Sequence, residues 1–398
     1  MILKIRRTNL ELLFYIALFC EILAMQISLT TLPYKEPLFL GVMKCLRYMG
    51  YILVSIKILY TRIEYKEFFL LLFIICMMGV RIPFIGRSTF LAFLFVYGMK
   101  GVNYKKLAEL MCVWLITGIL VTILGGSFGI IENWGYGLES SRPRFSLGYF
   151  YPSHAASAIF YAVLLLCYVL RDKLKLWHVI VIVIFDCWQY KKTDSRTGTV
   201  LIIAAVLAFY CLKTLKSESK KEKICRVMTW SFLISALISL GGAMFYDDSS
   251  PRWLQVNAFV NNRLQLAHRA VNQYGFSLLG QRIEWIGYGG LGHVYQQLRD
   301  TYNYVDCSYI KILLDEGVLF WIFMLVGFTI AGRQAAEKKD IYLCTALMFT
   351  AVYSIIEPRL CEIGFNPFIL MLAVLIDYKG SFITACDRNY TQRQWRIR

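Results

Sequence analysis

Long apolar blocks alternate along this chain with short polar connectors, at the spacing of helices that cross a membrane. A bilayer interior of ~30 Å needs about 20 mostly apolar residues in helical form. Residues 10–30, 107–130, 153–170 and 197–212 fit that rule. The full pattern predicts about twelve helices by the same criterion. They lie near 10–30, 38–60, 67–81, 84–99, 107–130, 153–170, 174–190, 197–212, 225–246, 307–330, 340–357 and 363–378. The run 67–99 is the least regular. Arg81, Pro83 and Arg87 interrupt it, so it reads as two short helices or one broken helix. Alternation at period two is missing, which argues against a β-barrel. The expected fold class is all-α, a single polytopic membrane domain over 1–398.

Composition agrees. Of 398 residues, 58% are hydrophobic and 17% charged, with a mean hydropathy of +0.53. A soluble chain carries charge at about a quarter of its positions. The basic segment Met1–Arg7 precedes an apolar run, but no small-residue cleavage site follows clearly, so 10–30 is read as a retained helix. Most of the twelve cysteines fall inside apolar runs and no CxxC pair occurs, so they read as small apolar residues rather than as disulfides or metal ligands.

The net charge of +17 resides in connectors, where lipid head groups and the orientation rule account for most of it. A nucleic-acid footprint would gather on one soluble face instead. Alternate connectors form a consistently basic set, including Arg62/Lys66, Lys100/Lys105/Lys106, Arg171/Lys173/Lys175, Lys213–Lys223 and the C-terminal tail. That set is expected in the cytoplasm, with both termini. The opposite side then holds 31–37, 81–87, 131–152, 191–196, 247–306 and 358–362. Two of these are long: an external loop at 131–152 and a large external loop at 247–306. The large loop carries recurring aromatic and apolar residues, and residues 263–270 predict a short amphipathic helix within it. No internal repeat supports an inverted-repeat transporter.

Arginines on that outer side run against the usual charge bias. Arg142, Arg144, Arg196, Arg252, Arg263, Arg269, Arg282 and Arg299 lie there, with Lys191 and Lys192. A guanidinium offers a planar fork to phosphate oxygens, although contact with ordinary anionic lipid is the plainer reading for any single one. The segment Arg142–His154 places two arginines ahead of a helix that starts near Pro152. Ser195-Arg196-Thr197-Gly198 puts another cation at a helix start. Asp306 is expected at the N-cap of the helix from 307, either as a simple cap or as a carboxylate able to orient or deprotonate a hydroxyl. Lys311 and Asp315 form an i,i+4 pair that neutralises itself. Glu357, at an outer helix end before Pro358, needs a cationic partner. His268 and His293 lack metal-ligand spacing and read as surface or packing histidines. Lys44, Arg47 and Lys57, inside the second apolar run, are unexplained. No nucleotide-binding or hydrolase motif is present, so no metal and no cofactor is expected.

Several short motifs, taken in order, resemble the Wzy-type oligosaccharide repeat-unit polymerases of Gram-positive capsule and exopolysaccharide pathways, within the O-antigen polymerase/ligase superfamily. Arg144-Phe-Ser-Leu-Gly-Tyr-Phe-Tyr-Pro-Ser153 is similar to that family's Arg-x-Ser-Leu-Gly-Phe-x-His-Pro-Asn. Ser195-Arg196-Thr197-Gly198, Asn262-Arg263-Leu264, Phe276-Ser-Leu-Leu-Gly280, Asp306-Cys-Ser-Tyr-Ile310 with Gly317, and Glu357 followed by Phe365-Asn366-Pro367-Phe368 resemble further family segments. The family's His before Pro is Tyr151 here, its Asn after Pro is Ser153, and the histidine that ligase-like relatives carry after the large loop is Asp306.

The resemblance implies a GT-C-like glycosyltransferase acting outside the cytoplasm of a bacterium. Such an enzyme moves a growing chain from undecaprenyl diphosphate onto the non-reducing end of a lipid-linked repeat unit. On that reading Asp306, Glu357 and Arg196 are the catalytic candidates, and Arg142, Arg144, Arg263, Arg282 and Tyr309 bind substrate. Membrane lipids, a flippase and a chain-length regulator of the same pathway are the expected partners, with no nucleic acid. Arg196→Ala is expected to abolish polymer while single lipid-linked repeats accumulate. A glycan ligase, or a flippase for the lipid-linked unit, would leave different products: long lipid-linked polymer for a failed ligase, and no glycosidic bond formed by a purified transporter.

Overall fold

The computed structural model describes residues 7–61, 72, 88–138, 142–287 and 302–376. It is predominantly helical. In chain order the elements are α1 (Arg7–Leu29), the one-turn α2 (Leu32–Lys35), α3 (Pro37–Leu59), α4 (Ser88–Gly98) and α5 (Tyr104–Ser127), then the short strands β1 (Gly135–Tyr136) and β2 (Arg144–Phe145). They continue as α6 (Pro152–Leu170), α7 (Leu176–Thr193), α8 (Arg196–Leu212), α9 (Glu218–Met228), α10 (Ser231–Phe245), α11 (Pro251–Phe259) and α12 (Arg263–Tyr274). The last are α13 (Ser308–Asp315), α14 (Gly317–Glu337), α15 (Ile341–Tyr353) and a 3-10 helix at Pro367–Leu375. Among the described residues, six helical segments are long and apolar enough to cross a membrane: Asn9–Leu29, Pro37–Leu59, Tyr104–Ser127, Pro152–Lys173, Glu218–Phe245 and Gly317–Glu337. Arg196–Leu212 and Ile341–Tyr353 are shorter apolar helices. Such a set marks a membrane protein. The helix expected at 67–81 lies outside the described residues, apart from Leu72.

The sequence pattern places most helices within a few residues, and the differences are instructive. The single helix expected over 307–330 is two helices. Gly317, at φ +84°, breaks it, in a left-handed conformation that glycine adopts without a Cβ clash. The large loop fills the break. Val318 N–H donates to Ser277 O at 2.9 Å, Leu319 N–H to Leu278 O at 3.2 Å, and Gln281 N–H to Asp315 O at 3.2 Å. A Cβ on Gly317 would stand 2.7 Å from Leu278 O. Two motifs forty residues apart in sequence, Phe276–Gly280 and Gly317, are thus one backbone contact. Apolar periodicity continues through the break, which is why it does not show in the hydrophobic pattern.

The described residues of the connector 131–152 also form more than a plain loop. β1 pairs antiparallel with β2, Tyr136 opposite Arg144. Ser146 accepts from Trp134 N–H at 3.0 Å and its own N–H donates to Trp134 O at 2.9 Å. Leu147 and Gly148 turn at φ +56° and +85°, and a Cβ on Gly148 would meet Thr122 O at 2.6 Å. Phe150 N–H donates to Leu29 O at 2.9 Å and Thr31 N–H to Gly148 O at 3.2 Å. The ribbon is bolted to the ends of α1 and α5, so Arg144 stands on a rigid support.

α6 and α15 form the centre of the bundle. The Phe160 and Tyr353 rings stack at 3.8 Å, and Ser157 and Tyr353 share a hydrogen bond of 3.0 Å. Lys57, unexplained by the sequence pattern, is buried as a cap. Its Nζ donates to Gly98 O and Lys100 O at 2.5 Å each, where the end of α4 leaves carbonyls without helical partners.

Candidate functional site

The charged residues at one end of the bundle converge from three distant stretches of sequence. α11 and α12 are joined by a tight turn in which Asn261 and Asn262 both have positive φ, +55° and +62°. The Asn257 side chain holds that turn, accepting from Gln265 N–H at 3.2 Å and donating to Asn262 Oδ1 at 3.2 Å. The result is that Arg263 starts α12 with its side chain turned inward, 17% exposed. It lies 3.7 Å from Asp306 and 3.5 Å from Glu357. The short amphipathic helix expected at 263–270 is therefore present and delivers this arginine.

Asp306 is not the N-cap of the helix that follows. Cys307 holds that position, with no side-chain cap bond. The Asp306 carboxylate is consequently not committed to backbone amides and turns to Arg263. Arg359, Arg144 and Lys311 also act on it electrostatically. Burial pushes its carboxyl above the usual aspartate range, against the pull of those cations, Arg263 first. Glu357 is more enclosed, 9% exposed in its side chain. Burial raises it to about 7, with the nearby Asp306 adding to the effect and Arg263 opposing it. Two carboxylates astride one guanidinium share less positive charge than they need, so one of them keeps a proton more readily than an isolated acid.

A second layer fixes this triad. Ser308 Oγ donates to Glu357 O at 2.5 Å and accepts from Leu360 N–H at 3.2 Å. Arg359 donates to both Glu362 oxygens, at 2.7 and 2.9 Å, meets His154 Nε2, and lies over the Phe365 ring at 5.0 Å. The apolar pattern and the motifs by themselves give Arg359 no role. The readable signal was its i,i+3 spacing to Glu362 directly after an apolar helix. His154 is buried and engaged as the partner of Arg359.

The other expected residues separate into four groups. Arg144 Nε donates to Thr193 O at 2.8 Å and its guanidinium lies 5.7 Å from the Tyr151 ring centre. It ties the ribbon to the end of α7 and acts on Asp306 electrostatically. Arg142 and Arg196 instead share Asp194. Arg142 Nε donates to its Oδ2 at 2.6 Å, and Arg196 Nε is 3.5 Å from its Oδ1. Both arginines are about half exposed, 46% and 56%. Arg282 is exposed and lies on the rim of a neighbouring cavity, not in the triad. Tyr309 is a correction to the expected substrate contact: it is 1% exposed and donates to Ala351 O at 2.9 Å, inside the core. As the first turn of α13 leaves the site, its apolar face turns to α10 and α15, and Tyr309 is on that face.

The remaining expectations concern the Lys311–Asp315 pair and the two loop histidines. Lys311 and Asp315 pair at 2.8 Å as their spacing implies. Trp285 joins them, donating to Asp315 Oδ1 at 2.8 Å with Lys311 Nζ 4.4 Å from its ring centre. His268 is a packing residue, with Nδ1 2.8 Å from Ala243 O; His293 lies outside the described residues. Among the described residues no group of three His, Cys, Asp or Glu side chains could hold a metal ion.

The arrangement can do two things chemically. The Asp306 carboxylate, half-buried and backed by arginines, can accept a proton from a hydroxyl placed before it. The guanidinium of Arg144, and those of Arg142 and Arg196 around Asp194, can meet a polyanion. No family model, no curated protein and no solved structure matches the chain.

Proposed function

We propose that this protein is a membrane glycosyltransferase that polymerises undecaprenyl-diphosphate-linked oligosaccharide repeat units into capsular or exo-polysaccharide on the outer face of a bacterial cytoplasmic membrane. The observation that carries the reading is the Asp306–Arg263–Glu357 triad, in which an arginine from the large connector pins two carboxylates beside a row of further arginines. In this account the non-reducing hydroxyl of one lipid-linked unit lies against Asp306. Its oxygen attacks the anomeric carbon of the other unit, its proton passes to Asp306, and the anomeric C–O bond breaks with the electron pair leaving on the diphosphate. Arg144 stabilises that leaving group, where charge grows in the transition state. Arg142 and Arg196, with one aspartate between them, keep a net positive charge for docking the diphosphate. Glu357 holds Arg263 and sets the protonation balance of the pair.

The same reading places both termini in the cytoplasm and the 131–152 and 247–306 connectors outside. Membrane lipids surround the bundle, and the flippase and chain-length regulator of the pathway are the protein partners. Asp306→Asn in the producing strain tests the assignment. Polymer disappears and single lipid-linked repeats accumulate. Accumulation of long lipid-linked polymer instead would identify a glycan ligase. Undiminished polymer would remove Asp306 from the chemistry.

A further inference from the structure

A cavity of about 890 Å³ opens beside the triad, between α1, α3, the segment 281–285 and α13. Its size falls within the range of organic-ligand sites, and it shares Ser308, Arg359 and Glu362 with the triad's supporting layer. The wall from α3 is unusual. Lys44, Arg47, Tyr48 and Tyr51 line the cavity, and their i, i+3, i+4, i+7 spacing puts all four on one face of an otherwise apolar helix. Opposite, α1 supplies Glu21, 3.8 Å from Arg47. Arg47 is ten residues into α3 and Glu21 eight residues before the end of α1, so they sit ~15 Å and ~12 Å along helices of membrane length. Ionisable residues at that depth are costly and mark a functional site by default. Glu21 Oε2 and Arg47 Nε, moreover, have no hydrogen-bond partner among the described residues.

The pattern of charge says what such a cavity takes. Cations and acids are interspersed along its wall: Arg47, Lys311 and Arg359 each face a carboxylate, Glu21, Asp315 and Glu362, while Lys44, Arg282 and Glu316 complete the charged lining. An oxyanion head group would be repelled by those acids. A polyhydroxylated ligand uses both kinds of group, giving its hydroxyl protons to carboxylates and accepting from cations. The exposed rings of Tyr34 and Tyr48 add flat apolar faces with a polar edge, suited to the C–H face of a sugar ring. We infer that this cavity is a saccharide compartment, taking an uncharged or zwitterionic glycan segment of the substrate down between α1 and α3. It rests on the polymerase reading for the source of the saccharide, and on the cavity itself for its chemistry.

Photo-crosslinking in producing cells tests it. Tyr48→p-benzoylphenylalanine reports on the cavity, and Ile238→p-benzoylphenylalanine, on the exposed side of α10, is the control. After illumination the adduct on each tryptic peptide is read by mass spectrometry. The inference expects a saccharide adduct at position 48 and none at 238. Phospholipid or prenyl-phosphate adducts without sugar at 48, or no saccharide adduct there, overturn it. Lys44→Met supplies a second readout in the purified protein, an apparent KM for lipid-linked repeats raised about fivefold with kcat unchanged, the loss of one charge-assisted contact; an unchanged KM counts against the compartment. The two proposals fail separately. A saccharide adduct on a protein that forms no glycosidic bond sustains the compartment and sinks the polymerase; polymer formed with no adduct at 48 does the reverse.

Discussion

Two arginine clusters face the same end of this molecule, and they are built differently. Arg142 and Arg196 lie on the ribbon side, half exposed, and share the single carboxylate of Asp194. Arg263 is largely enclosed, set between Asp306 and Glu357, and held by an asparagine-locked turn. Exposed guanidinium groups are screened by water and salt and contribute modestly to any one contact. An enclosed one, with its carboxylates, is a fixed part of the architecture, and removing it strands two acids. On the polymerase reading proposed above, the first cluster serves binding and the second the chemistry.

The largest effect is expected where the comparison is sharpest. Arg263→Ala leaves Asp306 and Glu357 facing each other, and breaking such a buried pair costs about 3–5 kcal/mol. Polymer synthesis should vanish and the melting temperature in detergent should fall. Arg142→Ala should leave the melting temperature within a degree or two of wild type, about what a surface substitution does. Equal destabilisation by the two would erase the distinction.

Asp306→Asn keeps the shape of the side chain and removes its basicity. Turnover should drop by about 10²–10⁴, the usual contribution of a positioned base, while thermal stability holds. A smaller effect belongs to pH. A base works when unprotonated, and burial raises both carboxyls, Glu357 to about 7. Turnover should therefore fall as the pH drops through the range where Asp306 takes up a proton, which lies above that of an ordinary aspartate, and level off above it. Glu357→Gln removes the neighbouring negative charge, so the acid limb of any residual activity should move to lower pH. A profile with no acid limb above the ordinary aspartate range would take the carboxylate pair out of the mechanism.

Arg196→Ala is expected to have the smallest effect of the series. From sequence it stood with the catalytic candidates; its exposure and its shared carboxylate now point to docking. We expect KM to rise about fivefold and kcat to hold, the signature of uniform binding energy. A collapse of kcat with KM unchanged would move Arg196 back among the catalytic groups.

The sequence carried much of this. Apolar runs located most helices because lipid-facing and core-facing positions both demand apolar side chains. The arginine-bearing motifs were visible because cations at helix starts stand out against an apolar background, and the structure brings Arg144, Arg263 and Arg359 to act on one carboxylate, Asp306. What did not show were contacts between segments far apart in sequence. Nothing local says that Ser277–Gln281 fills the break at Gly317, that Cys307 takes the cap position from Asp306, or that Tyr309 turns inward while Asp306 turns out. Lys44 and Arg47 were visible as anomalies, but Glu21, Tyr48 and Tyr51 give them meaning only once α1 and α3 are side by side.

The most direct test of the central claim uses purified protein in nanodiscs with sugar-labelled lipid-linked repeat units and no energy source. The account predicts a ladder of lengthening lipid-linked glycan from the wild type, none from Asp306→Asn, and a ladder recovered at higher substrate concentration from Arg196→Ala. A wild-type protein that leaves the repeats unlinked, or an Asp306→Asn protein that extends them at the wild-type rate, would contradict it.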